Sequence, residues 1–178
     1  MSRRRKVTIL GVGALVLGMA TPLGLPLMAQ EPTPIAVEIL SPRSVFTDDV
    51  DIKFRFDLEG NPTQVINSST PSRTVTARIT VQSGAQFPWH THPGPVIVNV
   101  AQGELVYVLA IDCVERSYPM GTAFVDPGRG NVHTAFNPTA GETVLLATFF
   151  ETPASGAITI PADAPDDCDV DTGTHASH

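Results

Sequence analysis

Short segments in which apolar and polar residues alternate recur along most of this chain, and none keeps a sustained apolar period of 3.6 residues. Alternation with a period of two is the pattern of a strand with one buried face. Sixteen prolines and 14 glycines separate the segments at short intervals. The pattern predicts eight to ten short strands, the clearest of them at 35–40, 51–58, 74–82, 96–101, 104–110, 114–118, 123–126, 132–136 and 143–150. Such a chain is predicted to fold as an all-β sandwich or barrel.

Two of the connections are predicted from their composition. Residues 65–73 are polar and rich in Ser and Thr, which favours a surface loop. Gln102-Gly103 separates two of the apolar segments, and a connection of this kind favours a β-hairpin. The strands on either side of Gly103 are therefore expected to pair with each other.

The first 29 residues have the layout of a secretory signal peptide. Basic residues at Arg3–Lys6 precede an apolar run from Val7 to Ala20, and the segment ends on the small residue Ala29. Cleavage after Ala29 is predicted, with cleavage after Ala20 as an alternative. An uncut membrane anchor is a further alternative, although the apolar run is shorter than the roughly 20 residues that a spanning helix needs. The mature protein is therefore expected to be secreted or extracytoplasmic, in the periplasm or at the cell surface.

The rest of the chain is divided into an N-terminal linker and first strand at 30–50, a barrel at 51–160, and an acidic flexible tail at 161–178. Without the signal peptide, seven basic and 18 acidic residues remain, a formal charge of −11. This charge disfavours nucleic acid and, once the signal is cut, an anionic membrane as partners. The expected partners are a small-molecule ligand or substrate and, through exposed edge strands, a second copy of the chain in a homodimer.

Cys113 and Cys168 are the only two cysteines, and they lie 55 positions apart. An even number of cysteines in an exported chain favours a disulfide. This disulfide would attach the acidic tail to the domain. Two free thiols are the alternative.

Two histidines two residues apart, His90 and His92, lie between segments that are predicted as strands. Residues i and i+2 of a strand project from the same face, so both imidazoles can face one point, as a metal ion requires. A third histidine, His133, lies in a later stretch that is also rich in Gly and Pro. The sequence therefore predicts a metal site formed by His90, His92 and His133.

The two stretches that contain these histidines resemble the two motifs of the cupin superfamily. The first motif is a Gly, five residues, His-x-His, three or four residues, Glu, six residues and a Gly. Its matches at those spacings are Gly84, His90, His92 and Gly103. The second motif is a Gly, five residues, Pro-x-Gly, two residues, His, three residues and an Asn. Its matches, with one extra residue between the Pro and the second Gly, are Gly121, Pro127, Gly130, His133 and Asn137.

The resemblance, which covers roughly residues 74–150, implies a single jelly-roll β-barrel with the three histidines directed inward at one divalent metal ion. The ion would be iron, manganese, nickel, copper or zinc. The Glu of the first motif falls at Val96, so its carboxylate is missing and at most a three-histidine site is expected. Three neutral imidazoles leave the ion its full charge and up to three open coordination positions, which favours anionic bidentate ligands.

Strand alternation places Val96, Val98 and Ala135 on the same face as the histidines. The pocket wall is therefore expected to be apolar, with no acid or base besides the metal ligands. The predicted function is an exported metal-binding protein that acts on or binds a small molecule. A metal-dependent dioxygenase is the enzymatic form of this prediction, because some cupin dioxygenases use three histidines. The alternative is a barrel that holds a ligand or a metal without turnover, and the sequence leaves this choice open.

Overall fold

In a computed structural model of the protein, the described residues are 34–69 and 72–170. They form short strands that are connected by turns and loops. The strands of these residues are β1 (Ile35–Val45), β2 (Asp51–Phe56), β3 (Gln64–Ser69), β4 (Arg73–Val81), β5 (His90–Thr91), β6 (Val96–Gln102), β7 (Glu104–Leu109), β8 (Glu115–Pro119), β9 (Ala123–Asp126), β10 (His133–Phe136), β11 (Thr143–Phe149) and β12 (Ile160–Pro161). No helix within the two described ranges is long and apolar enough to span a membrane. The predicted signal peptide, residues 1–29, lies outside the described residues.

The strands form two five-stranded antiparallel sheets and a separate hairpin. The first sheet has the order β1-β4-β11-β6-β9 and the second has the order β12-β5-β10-β7-β8. The hairpin consists of β2 and β3. Two antiparallel sheets that enclose one core are the architecture of a jelly-roll barrel, in which sequential strands change sheet. The prediction of an all-β barrel is therefore confirmed.

The core lies between the two sheets and follows from the alternation in the sequence. Inward residues of β4 and β11 are buried, whereas several of the residues between them are partly exposed. Apolar residues of the second sheet join the same cluster. The cluster includes Val75, Ala77, Ile79, Val81, Leu105, Tyr107, Leu109, Ala135, Leu145, Ala147 and Phe149. Burying one large apolar side chain contributes about 1.5–3 kcal/mol, so this cluster holds the two sheets together around the barrel interior.

The surface loop predicted for residues 65–73 is wrong, because most of this segment is a strand. Gln64–Ser69 forms β3 and pairs with β2 along its full length. Ile66 and Ser68 are buried and Val65, Asn67 and Ser69 are exposed, so the alternation is present but partly polar. The Ser68 hydroxyl donates a hydrogen bond to the Glu151 carboxylate at 2.5 Å. A strand can bury serine at such a position because the hydroxyl has an acceptor there.

The hairpin predicted at Gly103 is also wrong. Strand β6 ends at Gln102 and β7 begins at Glu104, but the two strands belong to different sheets. Gly103 has a φ of 73°, and a Cβ at this position would lie 2.6 Å from the hydroxyl oxygen of Thr143. Glycine is therefore needed for a tight passage from one sheet to the other, close beside the start of β11.

The first part of the segment predicted as an acidic tail is attached to the domain at three points. Ile160–Pro161, just before and at its start, pairs with β5. Cys168 forms a disulfide with Cys113, with their Cα atoms 5.4 Å apart. Val170 packs against a small apolar cluster that includes Phe136. Residues 171–178 lie outside the described residues.

Candidate metal centre

The fold brings together the three histidines that the sequence singles out. His90 begins β5 and His133 begins β10, and the two residues are direct partners in the antiparallel pair of these strands. His92 follows directly after β5. All three side chains are buried, and one ring nitrogen of each lies within 4.8 Å of the others. With bonds of about 2.1 Å, neighbouring ligand atoms of one ion are about 3.0–3.4 Å apart, so two ring nitrogens at the full 4.8 Å have to close by more than about 1 Å to share an ion.

Backbone carbonyl oxygens fix the orientation of the three rings. Nδ1 of His90 lies 2.6 Å from the carbonyl oxygen of Pro88. Nδ1 of His92 lies 2.8 Å from that of Ile158, and Nδ1 of His133 lies 3.2 Å from that of Asn131. A carbonyl oxygen only accepts, so each Nδ1 carries the hydrogen and donates it. In a neutral ring, the lone pair is then on Nε2, which is the arrangement of a metal-binding histidine.

A carboxylate that the sequence analysis did not place at the site lies beside these rings. Asp126 ends β9 and is 2% exposed. Its Oδ2 atom is 3.4 Å from Nε2 of His92 and 3.2 Å from Nε2 of His133. Its Oδ1 atom accepts hydrogen bonds from the Tyr107 hydroxyl at 3.2 Å and from the Gly128 amide at 2.9 Å. The expectation of a pocket wall without an additional acid is therefore wrong.

The sequence contains a weak indication of Asp126. It is the acid in the strand Ala123–Asp126, directly before Pro127 of the second motif. Its proximity to the histidines depends on the pairing of β9 with β6, in which Asp126 is the direct partner of Val96. This pairing joins residues 30 positions apart, and alternation within one strand does not reveal it.

Burial determines the protonation of the site. It lowers the pKa of His90, His92 and His133 from 6.5 to about 4 in each case, because an imidazolium loses its hydration there. Burial also raises the pKa of Asp126, against the opposing effects of His92 and of the Gly128 amide. It likewise raises the pKa of Tyr107, which therefore remains a hydrogen-bond donor. The three imidazoles are neutral at neutral pH, as metal ligands must be.

Two glycines allow the loops that carry these residues to pack backbone against backbone. Gly128 has a φ of 55°, and a Cβ there would lie 2.0 Å from the carbonyl oxygen of Gly94. The Arg129 amide donates to the His92 carbonyl at 2.8 Å. The two stretches rich in Gly and Pro, which are distant in sequence, are thus held together beside the histidines.

The histidines face a cavity of about 460 Å³ inside the barrel. Its wall is mostly apolar, with aliphatic and aromatic side chains from both sheets. Apart from the histidines, its polar lining residues are Tyr107, Asp126 and Thr159, and no Lys or Arg is among the described residues that line it. The lining includes Val37, Ile39, Ala77, Ile79, Phe87, Trp89, Leu105, Phe124, Leu145, Phe149 and Ile158.

The residues named from the sequence as pocket candidates lie as follows. Val96, Val98 and Ala135 line the cavity together with the histidines. Trp89, which was not among these candidates, is half-buried at the same cavity and also packs against the cluster of Val106, Val108 and Phe136. Val96 and Val98 belong to the first sheet and Ala135 to the second, so the predicted pocket residues line the cavity from both sheets.

Comparisons with known proteins find similarity in structure only. No family model and no curated protein matches the sequence. Similar solved structures include an oxalate oxidase in complex with the substrate analogue glycolate (28% identity, 46% of this chain, 44% of that chain, TM-score 0.40). KdgF from Halomonas sp. is also similar, with 17% identity over 70% of this chain and 87% of that chain and a TM-score of 0.45. A cupin-2 domain containing protein from Shewanella frigidimarina has 18% identity over 43% of this chain and 70% of that chain, with a TM-score of 0.37. The chain spans less than half the length of the oxalate oxidase.

Proposed function

We propose that this protein is an exported cupin that binds one divalent metal ion through His90, His92 and His133 and binds or acts on a small molecule beside it. The observation that carries the proposal is the orientation of the rings. Each Nδ1 donates to a backbone carbonyl, which leaves three buried Nε2 lone pairs facing one region of the cavity. Export is supported by the disulfide between Cys113 and Cys168, because disulfides persist in oxidising compartments.

The composition of the wall supports a ligand that is uncharged and largely apolar. A carboxylated ligand would find no Lys or Arg among the described lining residues and would lie near the Asp126 carboxylate. Bringing an unpaired anion into such a wall is costly, whereas apolar surface gains by leaving water. The cavity of about 460 Å³ has the size of a small-molecule site. This ligand class replaces the anionic ligands expected from a three-histidine site alone.

The reaction class follows from the metal. When bound, iron, manganese, nickel or copper would supply redox chemistry with dioxygen, and zinc would supply Lewis-acid chemistry. The chain itself supplies apolar walls that exclude water, three imidazoles held by backbone carbonyls, and the Tyr107 hydroxyl, which is engaged by Asp126. We therefore propose a metal-dependent dioxygenase as the enzymatic form. The scarcity of other polar groups on the wall favours the alternative, a binding barrel without turnover.

Elemental analysis of the mature protein, purified from its exported compartment without chelators or a metal column, tests the metal site. One equivalent of iron, manganese, nickel, copper or zinc is expected. The absence of metal, even after reconstitution with each ion, would overturn the proposed metal site. A redox-active ion together with oxygen uptake favours the dioxygenase, and zinc without turnover favours the binding barrel.

A matched pair of ligands tests the apolar character of the pocket. The compounds 4-methylcatechol and 3,4-dihydroxybenzoate offer the same two metal-binding oxygens and differ in a methyl group against a carboxylate. The metal-loaded protein should bind the methyl compound more tightly in calorimetry. Ile39→Arg, at an exposed lining position, should shift the preference toward the carboxylate, whereas Leu40→Arg, which is equally exposed and lies outside the lining, should not. Tighter binding of 3,4-dihydroxybenzoate by the unmodified protein would contradict the proposal.

The proposal includes a homodimer through an edge strand. Among the described residues, strand β1 is an edge of the first sheet, and Val45 and the following Phe46 are exposed apolar residues at its end. An unpaired edge with exposed apolar side chains can pair with a second copy. Sedimentation equilibrium should give twice the monomer mass, and a Val45→Lys variant should be monomeric.

A further inference from the structure

We infer that Asp126 is a fourth ligand of the metal ion, and that it supplies from β9 the carboxylate that the first motif lacks at Val96. The inference rests on the proposed metal site at His90, His92 and His133. It changes that site from three imidazoles to three imidazoles and one carboxylate. Its support comes from distances, hydrogen bonds and strand register.

The distances match those between ligands of one ion. With bonds of about 2.1 Å, two neighbouring ligand atoms are about 3.0 Å apart at octahedral angles and about 3.4 Å apart at tetrahedral angles. The Oδ2 atom of Asp126 lies 3.4 Å from Nε2 of His92 and 3.2 Å from Nε2 of His133. The carboxylate therefore needs little movement to share an ion with these two rings.

The hydrogen-bond pattern favours a cation between these atoms. Both rings donate through Nδ1 to a backbone carbonyl, so Nε2 of the neutral ring presents a lone pair. The Oδ2 atom of an ionised carboxylate also presents only lone pairs. Lone pairs that face each other at this separation repel unless a positive charge lies between them. A proton can bridge Oδ2 to one ring at a time, whereas a metal ion can be shared by all of these atoms.

The other oxygen of Asp126 is held in place by groups outside the metal site. Its Oδ1 atom accepts from the Tyr107 hydroxyl and from the Gly128 amide at 3.2 and 2.9 Å. These two donors leave Oδ2 directed at the imidazoles. Ligands of a metal ion are commonly oriented by such a second layer of hydrogen bonds. Tyr107 is therefore a positioning residue for Asp126.

Strand register explains how a residue of β9 can replace one of β6. Val96 and Asp126 are direct partners in the antiparallel pair of β6 and β9. Directly opposed residues project from the same face, with Cβ atoms about 4.5–5.5 Å apart. Both Val96 and Asp126 line the cavity. An acid at either position therefore delivers its carboxylate to nearly the same part of the barrel interior.

Cobalt(II) binding tests the inference, because both its affinity and its visible spectrum depend on the ligand set. Metal-free wild-type protein and Asp126→Asn, which keeps the shape of the side chain, are titrated with cobalt(II) at neutral pH. Asp126→Asn should weaken binding by more than about 100-fold, beyond the 10–100-fold typical of a residue outside the ligand set. Its spectrum should also differ from that of the wild type. The matched control is Asp51→Asn, at an exposed carboxylate on β2, which should change neither quantity.

Two further variants separate ligation from support of the fold. Tyr107→Phe removes the hydroxyl that positions Asp126 and should weaken binding by less than Asp126→Asn does. A double variant that carries both Val96→Glu and Asp126→Val moves the carboxylate from β9 to β6. It should bind cobalt(II) more tightly than the single variant Asp126→Val does. An Asp126→Asn protein with the wild-type affinity and spectrum would overturn the inference and leave the three-histidine site intact. A wild-type protein that binds no cobalt(II) or other divalent ion would overturn the proposed function as well.

Discussion

The three buried histidines predict that the metal-free domain loses stability when the pH falls from 6.5 toward 4. Burial lowers the pKa of each from 6.5 to about 4. Unfolding restores the ordinary value, so in this window the unfolded chain binds more protons than the folded domain does. The stabilisation by the neutral rings is therefore complete above pH 6.5 and is lost as the pH falls toward 4.

The expected loss is large compared with the stability of a domain. At pH 5, a histidine whose pKa changes from about 4 to 6.5 on unfolding lowers the free energy of unfolding by about 2 kcal/mol. Three independent histidines would lower it by about 6 kcal/mol, against a typical total of about 5–15 kcal/mol. Asp126 acts in the opposite direction, because burial raises its pKa and the folded domain takes up its proton more readily. The net loss at pH 5 is thus expected to be smaller than about 6 kcal/mol.

Urea unfolding in the presence of a chelator at pH 7.5, 6.5, 5.5 and 5.0 measures this loss. Trp89 is the only tryptophan and is half-buried, so its fluorescence reports unfolding. A His133→Gln variant should lose about 2 kcal/mol less than the wild type between pH 7.5 and 5.0. A wild-type unfolding free energy that stays constant over this range would refute the reasoning. An equal loss in His133→Gln would show that His133 contributes none of it.

Three further tests use substitutions at structural features of the domain. Replacing Cys113 and Cys168 together with Ser should lower the free energy of unfolding by about 4 kcal/mol, as expected for a closed loop of this length, and a reductant should then have no further effect on the melting temperature. Gly128→Ala should be much more destabilising than Gly130→Ala, because both glycines have positive φ but a Cβ meets a backbone carbonyl only at the first; equal melting temperatures would contradict the close approach. Asn137→Ala should cost about 3 kcal/mol, since the buried amide donates to two backbone carbonyls and accepts from a backbone amide; a loss below about 1 kcal/mol in urea unfolding would count against this.

The strands could be predicted because their signal is local. A half-buried strand shows its two faces as alternation, and segments such as Ala123–Asp126 and Thr143–Phe149 are found within one residue of their predicted bounds. Strand β3 was missed because its buried position Ser68 is polar and depends on an acceptor from Glu151. The sheet change at Gly103 was missed because a glycine turn is compatible with either a hairpin or a crossing. The partner strands decide between the two, and they lie elsewhere in the sequence.

The histidines of the site could be predicted for the same reason as the strands. His90 and His92 are two residues apart, and the spacing alone places both side chains on one face. His133 was identified because it lies in a second stretch rich in Gly and Pro, and the resemblance of this stretch to a cupin motif supported the choice. The sequence does not show that Pro88, Ile158 and Asn131 provide the carbonyl oxygens that orient the rings. Pro88 and Asn131 are each two positions from the histidine that they contact. Ile158 contacts His92 only because the following strand, β12, returns to pair with β5.

Asp126 shows why the absence of a motif residue does not establish the absence of its chemistry. A comparison position by position finds Val96 where a carboxylate is expected and concludes that the site lacks one. The chemistry of the barrel interior, however, depends on which side chains face a given position. In an antiparallel sheet, directly opposed residues of two paired strands face the same position. Val96 and Asp126 are opposed across β6 and β9, so an acid on either strand can face the same imidazoles. A carboxylate that faces the interior of such a barrel therefore has to be sought on both strands of an opposed pair.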